Sequence, residues 1–169
     1  ALFAAKEKFK HLILPGSLDT FELISAGDLA VARAAAAHLT TKRPGLTLIH
    51  FAGVDSAGHR HGWDTPPYLD ALRVADGAVA IVWNSLKKAG LDKDTILLVT
   101  ADHGGSGKGH GSARPEHRNI PWILWGAGVK AGFTLPARIS TMDTPATALW
   151  ALGVKIPAGW QGQPVREAF

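Results

Sequence analysis

The sequence predicts an α/β fold in which parallel strands alternate with helices. The clearest strand is the run from Ile96 to Val99, in which every residue is apolar and both ends are β-branched. A continuous apolar run of this length is typical of a parallel strand covered on both faces. A second, mostly apolar run lies earlier, from Leu46 to Ala52, and a long helical pattern separates the two. This order predicts a right-handed βαβ unit with both strands in one sheet.

The first part of the chain contains one clear helix signal. Residues 1–26 show no regular pattern of apolar positions. Asp28 is placed to cap a helix that continues to about Leu39, with alanines in its middle. Pro44 and Gly45 follow and predict its end.

The helix between the two strands has a regular apolar period. Asp64 or Thr65 can cap it, Pro66 suits its first turn, and Gly90 predicts its end. The apolar positions recur at helical spacing: Leu69, Leu72, Val79, Val82 and Leu86. The sequence therefore predicts a helix of about six turns here.

The last third of the chain predicts a loop, a strand and a short helix. Residues 106–119 are rich in glycine and polar residues and predict a loop. Residues 120–125 predict a third strand, and Thr141 or Asp143 can cap a helix that ends before Gly153. No internal repeat or linker is evident, so residues 1–169 are predicted to belong to one domain.

Composition excludes several classes of protein. The 169 residues are 46% hydrophobic and 19% charged, which indicates a globular domain. Cysteine is absent, so disulfides and thiolate ligands are excluded. The net charge of +4 is spread along the chain, which suits an anionic substrate and argues against a nucleic-acid polymer as partner. No apolar run approaches the roughly 20 residues needed to span a membrane.

Two predicted strands are each followed by a carboxylate and a histidine. Asp55 precedes His59 by four residues, which places both on one face of a helical turn. Asp102 and His103 follow the other strand directly. Either pair alone is consistent with a helix cap or a turn, but two such strand ends favour a metal site. Carboxylate oxygens and imidazole nitrogens are ligands that Zn²⁺ and Mn²⁺ accept, and the two pairs are expected to meet at one sheet edge.

Three segments resemble motifs of the alkaline phosphatase superfamily. They are Val54-Asp55-Ser56-Ala57-Gly58-His59, Thr100-Ala101-Asp102-His103-Gly104 and Gly109-His110-Gly111. The likeness is greatest to its type I phosphodiesterase and nucleotide pyrophosphatase branch. It implies a three-layer α/β/α sandwich of the alkaline phosphatase type and two divalent metal ions, zinc first and manganese as the alternative. It also implies hydrolysis of phosphoric esters.

The resemblance assigns metal ligands in two groups. It implies that Asp55 and His59 bind one ion and that Asp102 and His103 bind the other. In the superfamily the first ion has one further histidine ligand. This further histidine is expected after residue 103. It cannot come from the C-terminal residues 159–169, because they contain no histidine.

Two histidines of the predicted loop are candidates for the further ligand. His110 is favoured because its glycine neighbours let the backbone bring it to a metal ion. His117 is interpreted as a solvated loop residue. His61, beside the first motif, is a candidate for contact with substrate.

The resemblance also implies functional residues that this chain does not supply. In the superfamily an aspartate nearer the N-terminus completes the second metal site, and a Thr or Ser after an early strand is the nucleophile. Residues 1–47 show no apolar strand followed by such residues. The chain is therefore expected to be the C-terminal portion of one catalytic domain, to need the missing N-terminal part as its partner, and to be inactive alone.

The expected function is that of a metal-dependent phosphodiesterase or nucleotide pyrophosphatase acting on a small phosphate ester. Sulfatase, phosphonate hydrolase and phosphomutase activities of the same superfamily are alternatives. A non-catalytic metal-binding domain is a further alternative. Structural zinc sites are typically closed and rich in cysteine, which argues against it. Many relatives are periplasmic or secreted, and the sequence leaves the compartment open.

Overall fold

The computed structural model describes residues 1–136 and 138–169, and it confirms the α/β class. The strands are β1 (Leu2–Ala4), β2 (Phe21–Leu23), β3 (Leu48–His50), β4 (Ile96–Thr100) and β5 (Trp122–Gly126). The helices are α1 (Asp28–Lys42), α2 (Gly53–His61), α3 (Pro66–Lys88), α4 (Pro115–Arg118) and α5 (Asp143–Ala151). Short 3-10 helices cover Glu7–Leu12 and Arg166–Ala168.

The described residues form two compact units, each with its own sheet. The first unit consists of Ala1–Lys93 and His103–Ile120. The second consists of Asp94–Asp102 and Pro121–Phe169. The boundary between Asp102 and His103 falls inside the second motif.

The sheet of the first unit is parallel, with strand order β2-β1-β3. Its middle strand is β1, in which Phe3 and Ala4 are fully buried. Residues 1–26 showed no regular apolar pattern, so β1 and β2 are strands that the sequence did not predict. Strands of three residues are too short to show a period of two, so pairing with neighbours rather than local pattern defines them.

Helix α1 packs between the sheet and α3 with small side chains. Its Val31 and Ala35 pack with Phe3 of β1. On another side its Ala32 packs with Ala78 and Val82 of α3. Alanines let the backbones of α1 and α3 approach closely, which explains the alanine-rich middle of α1.

Asp28 has a different role from the predicted one. The N-cap of α1 is Gly27, and Asp28 is the first helical residue. Its buried carboxylate accepts hydrogen bonds from the backbone N–H groups of Ala52, at 2.9 Å, and Gly53, at 3.1 Å. Asp28 therefore satisfies the N-terminus of α2, which links the starts of α1 and α2.

The long helix is confirmed as α3. Thr65 is its N-cap, Pro66 is in its first turn, and Gly90 lies just after it with φ of 69°. The second half of the predicted apolar face is buried at Val82 and Leu86, whereas Leu69 and Leu72 in the first half are exposed.

The second unit contains a two-stranded sheet, which corrects the predicted βαβ unit. β4 pairs antiparallel with β5 over its whole length, from Ile96 opposite Gly126 to Thr100 opposite Trp122. It makes no ladder with β3 in the described part of the chain. An apolar run predicts that a strand forms, but its partner and direction depend on long-range contacts. The sheet topology therefore does not supply the shared edge on which the meeting of Asp55 and Asp102 was expected.

The predicted third strand and last helix are confirmed as β5 and α5. The carboxylate of Asp143 accepts backbone hydrogen bonds from Ser140, at 2.7 Å, and Gln163, at 2.8 Å. These bonds fix the start of α5 and the C-terminal segment to one side chain. Within the described residues, no helix combines the length and apolarity needed to cross a membrane.

Candidate metal centre

Helix α2 brings the first two candidate ligands together. It begins three residues after the end of β3, so Asp55 lies in its first turn and His59 in its last. The four-residue spacing places both side chains on one face. Oδ1 of Asp55 and Nε2 of His59 are 3.4 Å apart.

The loop after His103 folds back onto α2 and is held there by Trp63. The backbone N–H of Trp63 donates to the carbonyl of Gly107 at 2.8 Å. The Trp63 ring packs directly against two glycines. A Cβ atom added to Gly58 would lie 2.8 Å from the ring, and one added to Gly105 would lie 2.2 Å from it. Trp63 also makes edge contacts with His59, with ring centroids 5.3 Å apart. No local pattern in the sequence marks Trp63, because a single tryptophan after a glycine carries no signal of a functional position.

His110 lies at the same place as Asp55 and His59. Its Nε2 is 3.2 Å from Nε2 of His59. One ligand atom from each of the three residues lies within 4.8 Å of the others. The structure therefore brings three of the five predicted ligands into one cluster, which we call the Asp55 cluster.

The protonation of His59 follows from its backbone contact. Its Nδ1 lies 3.1 Å from the carbonyl oxygen of Lys108. A carbonyl only accepts, so Nδ1 carries the proton, and in the neutral ring Nε2 presents a lone pair toward the Asp55 cluster. A metal-binding histidine typically makes this second hydrogen bond to a backbone carbonyl.

His103 lies beside the Asp55 cluster. Its Nε2 is 3.7 Å from Oδ1 of Asp55. Its ring stacks on that of His110, with centroids 3.6 Å apart and an angle of 16°. The stacking places His103 side by side with His110 at the edge of the cluster.

The two oxygens of Asp55 have different surroundings. Oδ2 accepts a hydrogen bond of 2.5 Å from the Lys6 ammonium group. Oδ1 is buried and has no hydrogen-bond partner among the described residues. Burial raises the pKa of Asp55, but Lys6 first, and then His59 and His103, lower it, and the net pKa is below the ordinary value. A lowered pKa means that the ionised carboxylate stabilises the fold above its unfolded-state pKa, and that this contribution is lost as the pH falls through the folded-state value.

The Asp55 cluster fits a zinc-like ion on three observations. A buried carboxylate oxygen lacks a donor. Zinc ligands at about 2.0–2.1 Å in a tetrahedron lie about 3.3 Å from each other. Two of the three observed separations, 3.4 Å and 3.2 Å, are close to that value, and the third is within 4.8 Å. Three protein ligands with a fourth position left for water or substrate is the pattern of catalytic zinc sites.

Two other predicted site residues lie outside the Asp55 cluster. Asp102 is exposed and belongs to the second unit, whereas His103 belongs to the first. His61 is exposed at the last position of α2. A metal-binding role for Asp102 and a substrate contact for His61 stay predictions.

His117 is not the solvated residue that the sequence indicated. It is buried, and its Nδ1 accepts a hydrogen bond from the backbone N–H of Ser112 at 3.1 Å. Its Nε2 therefore carries the proton, which it donates to Oγ of Ser106 at 2.8 Å. Both ring nitrogens are used to connect two parts of the loop. A buried position was hidden in the sequence because the neighbouring residues are all polar or charged.

We expect His117→Ala to destabilise the protein by about 1–2 kcal/mol, because two hydrogen bonds of a buried ring are lost. His110→Ala removes an exposed ring and is expected to change stability by less than about 0.5 kcal/mol while weakening zinc binding. Urea unfolding and zinc titration of both variants check this. Unchanged stability in His117→Ala, with zinc binding lost there and kept in His110→Ala, would transfer the ligand role to His117.

Comparisons with known proteins identify a family for most of the first unit. The profile of the family described as type I phosphodiesterase / nucleotide pyrophosphatase matches residues 4–108, which include Asp55, His59 and His103. Residues 109–169 lie outside the match, and His110 is among them.

Curated relatives are longer proteins. GPI ethanolamine phosphate transferase 1 of Saccharomyces cerevisiae is 32% identical over 93 residues, covering 54% of this chain and 10% of the relative. The mouse protein of the same name is 33% identical over 124 residues, covering 71% of this chain and 12% of the relative. The chain thus spans about a tenth of the length of these relatives.

Solved structures show the same fold. A candidate sulfatase from Bacteroides thetaiotaomicron superposes with a TM-score of 0.62 at 16% identity, covering 90% of this chain and 48% of that one. The phosphonate monoester hydrolase SpPMH from Silicibacter pomeroyi gives 0.51 at 21% identity, covering 95% and 33%.

Proposed function

The chain belongs to the type I phosphodiesterase / nucleotide pyrophosphatase family, and from this premise we propose that it forms part of a metal-dependent enzyme acting on phosphoric esters. The observation that supports this proposal most directly is the Asp55 cluster, where a buried carboxylate oxygen without a donor faces two imidazole nitrogens. The family match includes Asp55 and His59 and ends before His110, so His110 is assigned by its position in the structure.

In the proposed site Asp55, His59 and His110 hold one divalent ion, with zinc favoured and manganese as the alternative. Asp102 and His103 stay the predicted ligands of a second ion, as the resemblance implies. When bound, such ions polarise phosphoryl oxygens and lower the pKa of the attacking group.

The chain's own residues have three further tasks in this proposal. Lys6 keeps Oδ2 of Asp55 occupied, so that Oδ1 is directed to the cluster. The carbonyl of Lys108 fixes the His59 ring so that Nε2 is the ligand atom. Trp63 covers one side of the His59 and His110 rings and reduces the access of water there.

The nucleophile is proposed to be a Thr or Ser of a preceding segment in a longer protein. It would displace the leaving alcohol at phosphorus and form a covalent phospho-enzyme, which a second acceptor then cleaves. If the acceptor is water the reaction is hydrolysis, and if it is an alcohol the reaction is transfer. The names of the GPI ethanolamine phosphate transferase relatives favour transfer as the second candidate function.

Turnover of artificial esters by the longer protein tests the proposal. We expect a metal-stripped preparation to cleave bis(p-nitrophenyl) phosphate only after zinc or manganese is added. Excess methanol as an acceptor alcohol should divert part of the product from p-nitrophenyl phosphate to methyl p-nitrophenyl phosphate if transfer is the reaction. Parallel assays with p-nitrophenyl sulfate and an aryl phosphonate test the sulfatase and phosphonate alternatives.

The same assay on the 169-residue chain is expected to show no turnover, since the proposed nucleophile is not among its residues. Metal-independent cleavage by the longer protein would contradict the proposed function. Zinc-dependent cleavage by the chain alone would contradict the proposed origin of the nucleophile.

A further inference from the structure

The most exposed large apolar side chains described in the first unit lie on one short loop. The loop joins β1 to β2, and Leu12 and Leu14 in it are 69% and 70% exposed. No other large hydrophobic residue in the described part of the chain is as exposed. Single exposed leucines are common, but two neighbouring ones at this level form a local apolar tip.

The tip is ordered by hydrogen bonds. The backbone N–H of Ser17 donates to the carbonyl of Leu14 at 3.0 Å, and the Ser17 hydroxyl donates to the same carbonyl at 2.7 Å. Gly16 has φ of 75°, as a turn with proline before glycine requires. The preceding 3-10 helix, Glu7–Leu12, ends directly in the tip. The leucines are therefore presented by a folded turn.

Basic residues flank the tip on its N-terminal side. Lys8 and Lys10 are exposed, and His11 follows them. Lys10 pairs with Glu7 at 2.6 Å, and both side chains are exposed. Another anion can therefore replace Glu7 as the partner of Lys10. The order along the chain is therefore a basic segment followed by an apolar tip.

We propose that the loop of residues 7–18, which we call the Leu12–Leu14 loop, docks on a phospholipid bilayer that contains anionic lipid. The strength of binding to a bilayer surface scales with the buried apolar area and with the attraction to anionic lipids, and here the leucines supply the first and the lysines the second. Protein interfaces are instead enriched in Tyr, Trp, Phe and Arg and depleted in Lys. A narrow tip also presents much less area than the roughly 800 Å² per partner of a stable protein interface.

The loop is joined to the Asp55 cluster at its N-terminal end. Lys6, immediately before the loop, donates to Asp55. Phe9 contacts the ring of His50 at the end of β3, with centroids 4.5 Å apart. Docking by the loop would therefore place the first unit on the bilayer. The residue next to the docked loop, Lys6, would still hold Asp55 of the cluster.

Vesicle co-sedimentation of the metal-free chain tests the docking and needs no turnover, so it is independent of the proposed function. The probe is a phosphatidylcholine vesicle with about one third phosphatidylglycerol, compared with pure phosphatidylcholine. We expect the chain to bind the anionic vesicles. The L12S/L14S double variant should lower the partition coefficient at least about tenfold, since each leucine loses the benefit of burial.

Leu72→Ser with Val74→Ser on α3 is the matched control, because these residues are also exposed apolar positions of the first unit. It should bind as the unchanged chain does, and circular dichroism should show that both double variants fold. Lys8→Gln with Lys10→Gln should weaken binding to anionic vesicles and make it less sensitive to salt.

Three results would overturn the proposal. The first is absence of vesicle binding by the unchanged, folded chain. The second is equal binding by the L12S/L14S variant. The third is self-association of the chain without vesicles that this variant abolishes, which would make a second copy of the chain the occupant of the tip.

Discussion

Replacing Asp55 with asparagine is expected to lower the zinc affinity of the chain by more than about 100-fold. Loss of residues that only support a metal ligand already costs about 10–100-fold, and Asp55 is proposed as a ligand itself. The substitution keeps the size of the side chain but removes the charge that attracts the ion. Competition with a chromogenic chelator measures this affinity directly.

Asp70→Asn is a suitable control for this change. Asp70 also lies on a helix of the first unit and pairs with a basic residue, Arg73, but it is far more exposed. Its substitution should leave zinc affinity unchanged within about twofold, since exposed ion pairs contribute little. Equal zinc affinity in Asp55→Asn and the unchanged chain would remove the basis for the metal centre.

Gly105→Ala is expected to disrupt the same centre without touching a ligand. The new Cβ atom would lie 2.2 Å from the Trp63 ring, and a Cβ atom at Gly58 would lie 2.8 Å from the same ring, so both segments pack closely against Trp63. Forcing an extra methyl group into a packed site costs about 1–3 kcal/mol. Displacement of Trp63 should also separate the loop of His110 from α2, so zinc affinity should fall about tenfold or more.

Gly109→Ala in the same loop is the matched control. A Cβ atom at Gly109 meets nothing within 4 Å, and its φ lies outside the left-handed region. We expect this variant to keep both stability and zinc affinity, whereas Gly105→Ala should lose about 2–10 °C in Tm. Thermal unfolding and chelator competition give both values. If Gly105→Ala behaves like Gly109→Ala, Trp63 does not position the loop.

Features that depend on a few neighbouring residues were predictable from sequence. The four-residue spacing of Asp55 and His59 determines their common face once α2 forms, and helix geometry alone sets that relation. The limits of α3 follow from Pro66 and Gly90, because proline suits a helix start and glycine adopts the left-handed conformation just beyond the helix end. The residue types of the two motifs also indicate metal chemistry, which stays a prediction.

Tertiary structure decided which distant segments meet. His110 is 51 residues from His59, and the loop that presents it is held by Trp63, whose contacts involve glycines from two separate segments. Likewise, β4 pairs with β5, although its apolar pattern suits a parallel neighbour equally well. Such pairings depend on which surfaces bury most apolar area and satisfy most backbone groups, and neither quantity is a property of a local window.

The two loop histidines illustrate the same division. Both lie in polar, glycine-containing sequence, and local pattern gives no reason for one to be buried. The fold buries His117 between two serines, where both ring nitrogens are hydrogen bonded, and leaves His110 exposed beside Asp55 and His59. Sequence therefore identified residue types that are able to bind a metal ion, whereas burial and hydrogen bonding in the folded loop determined which histidine lies at the Asp55 cluster.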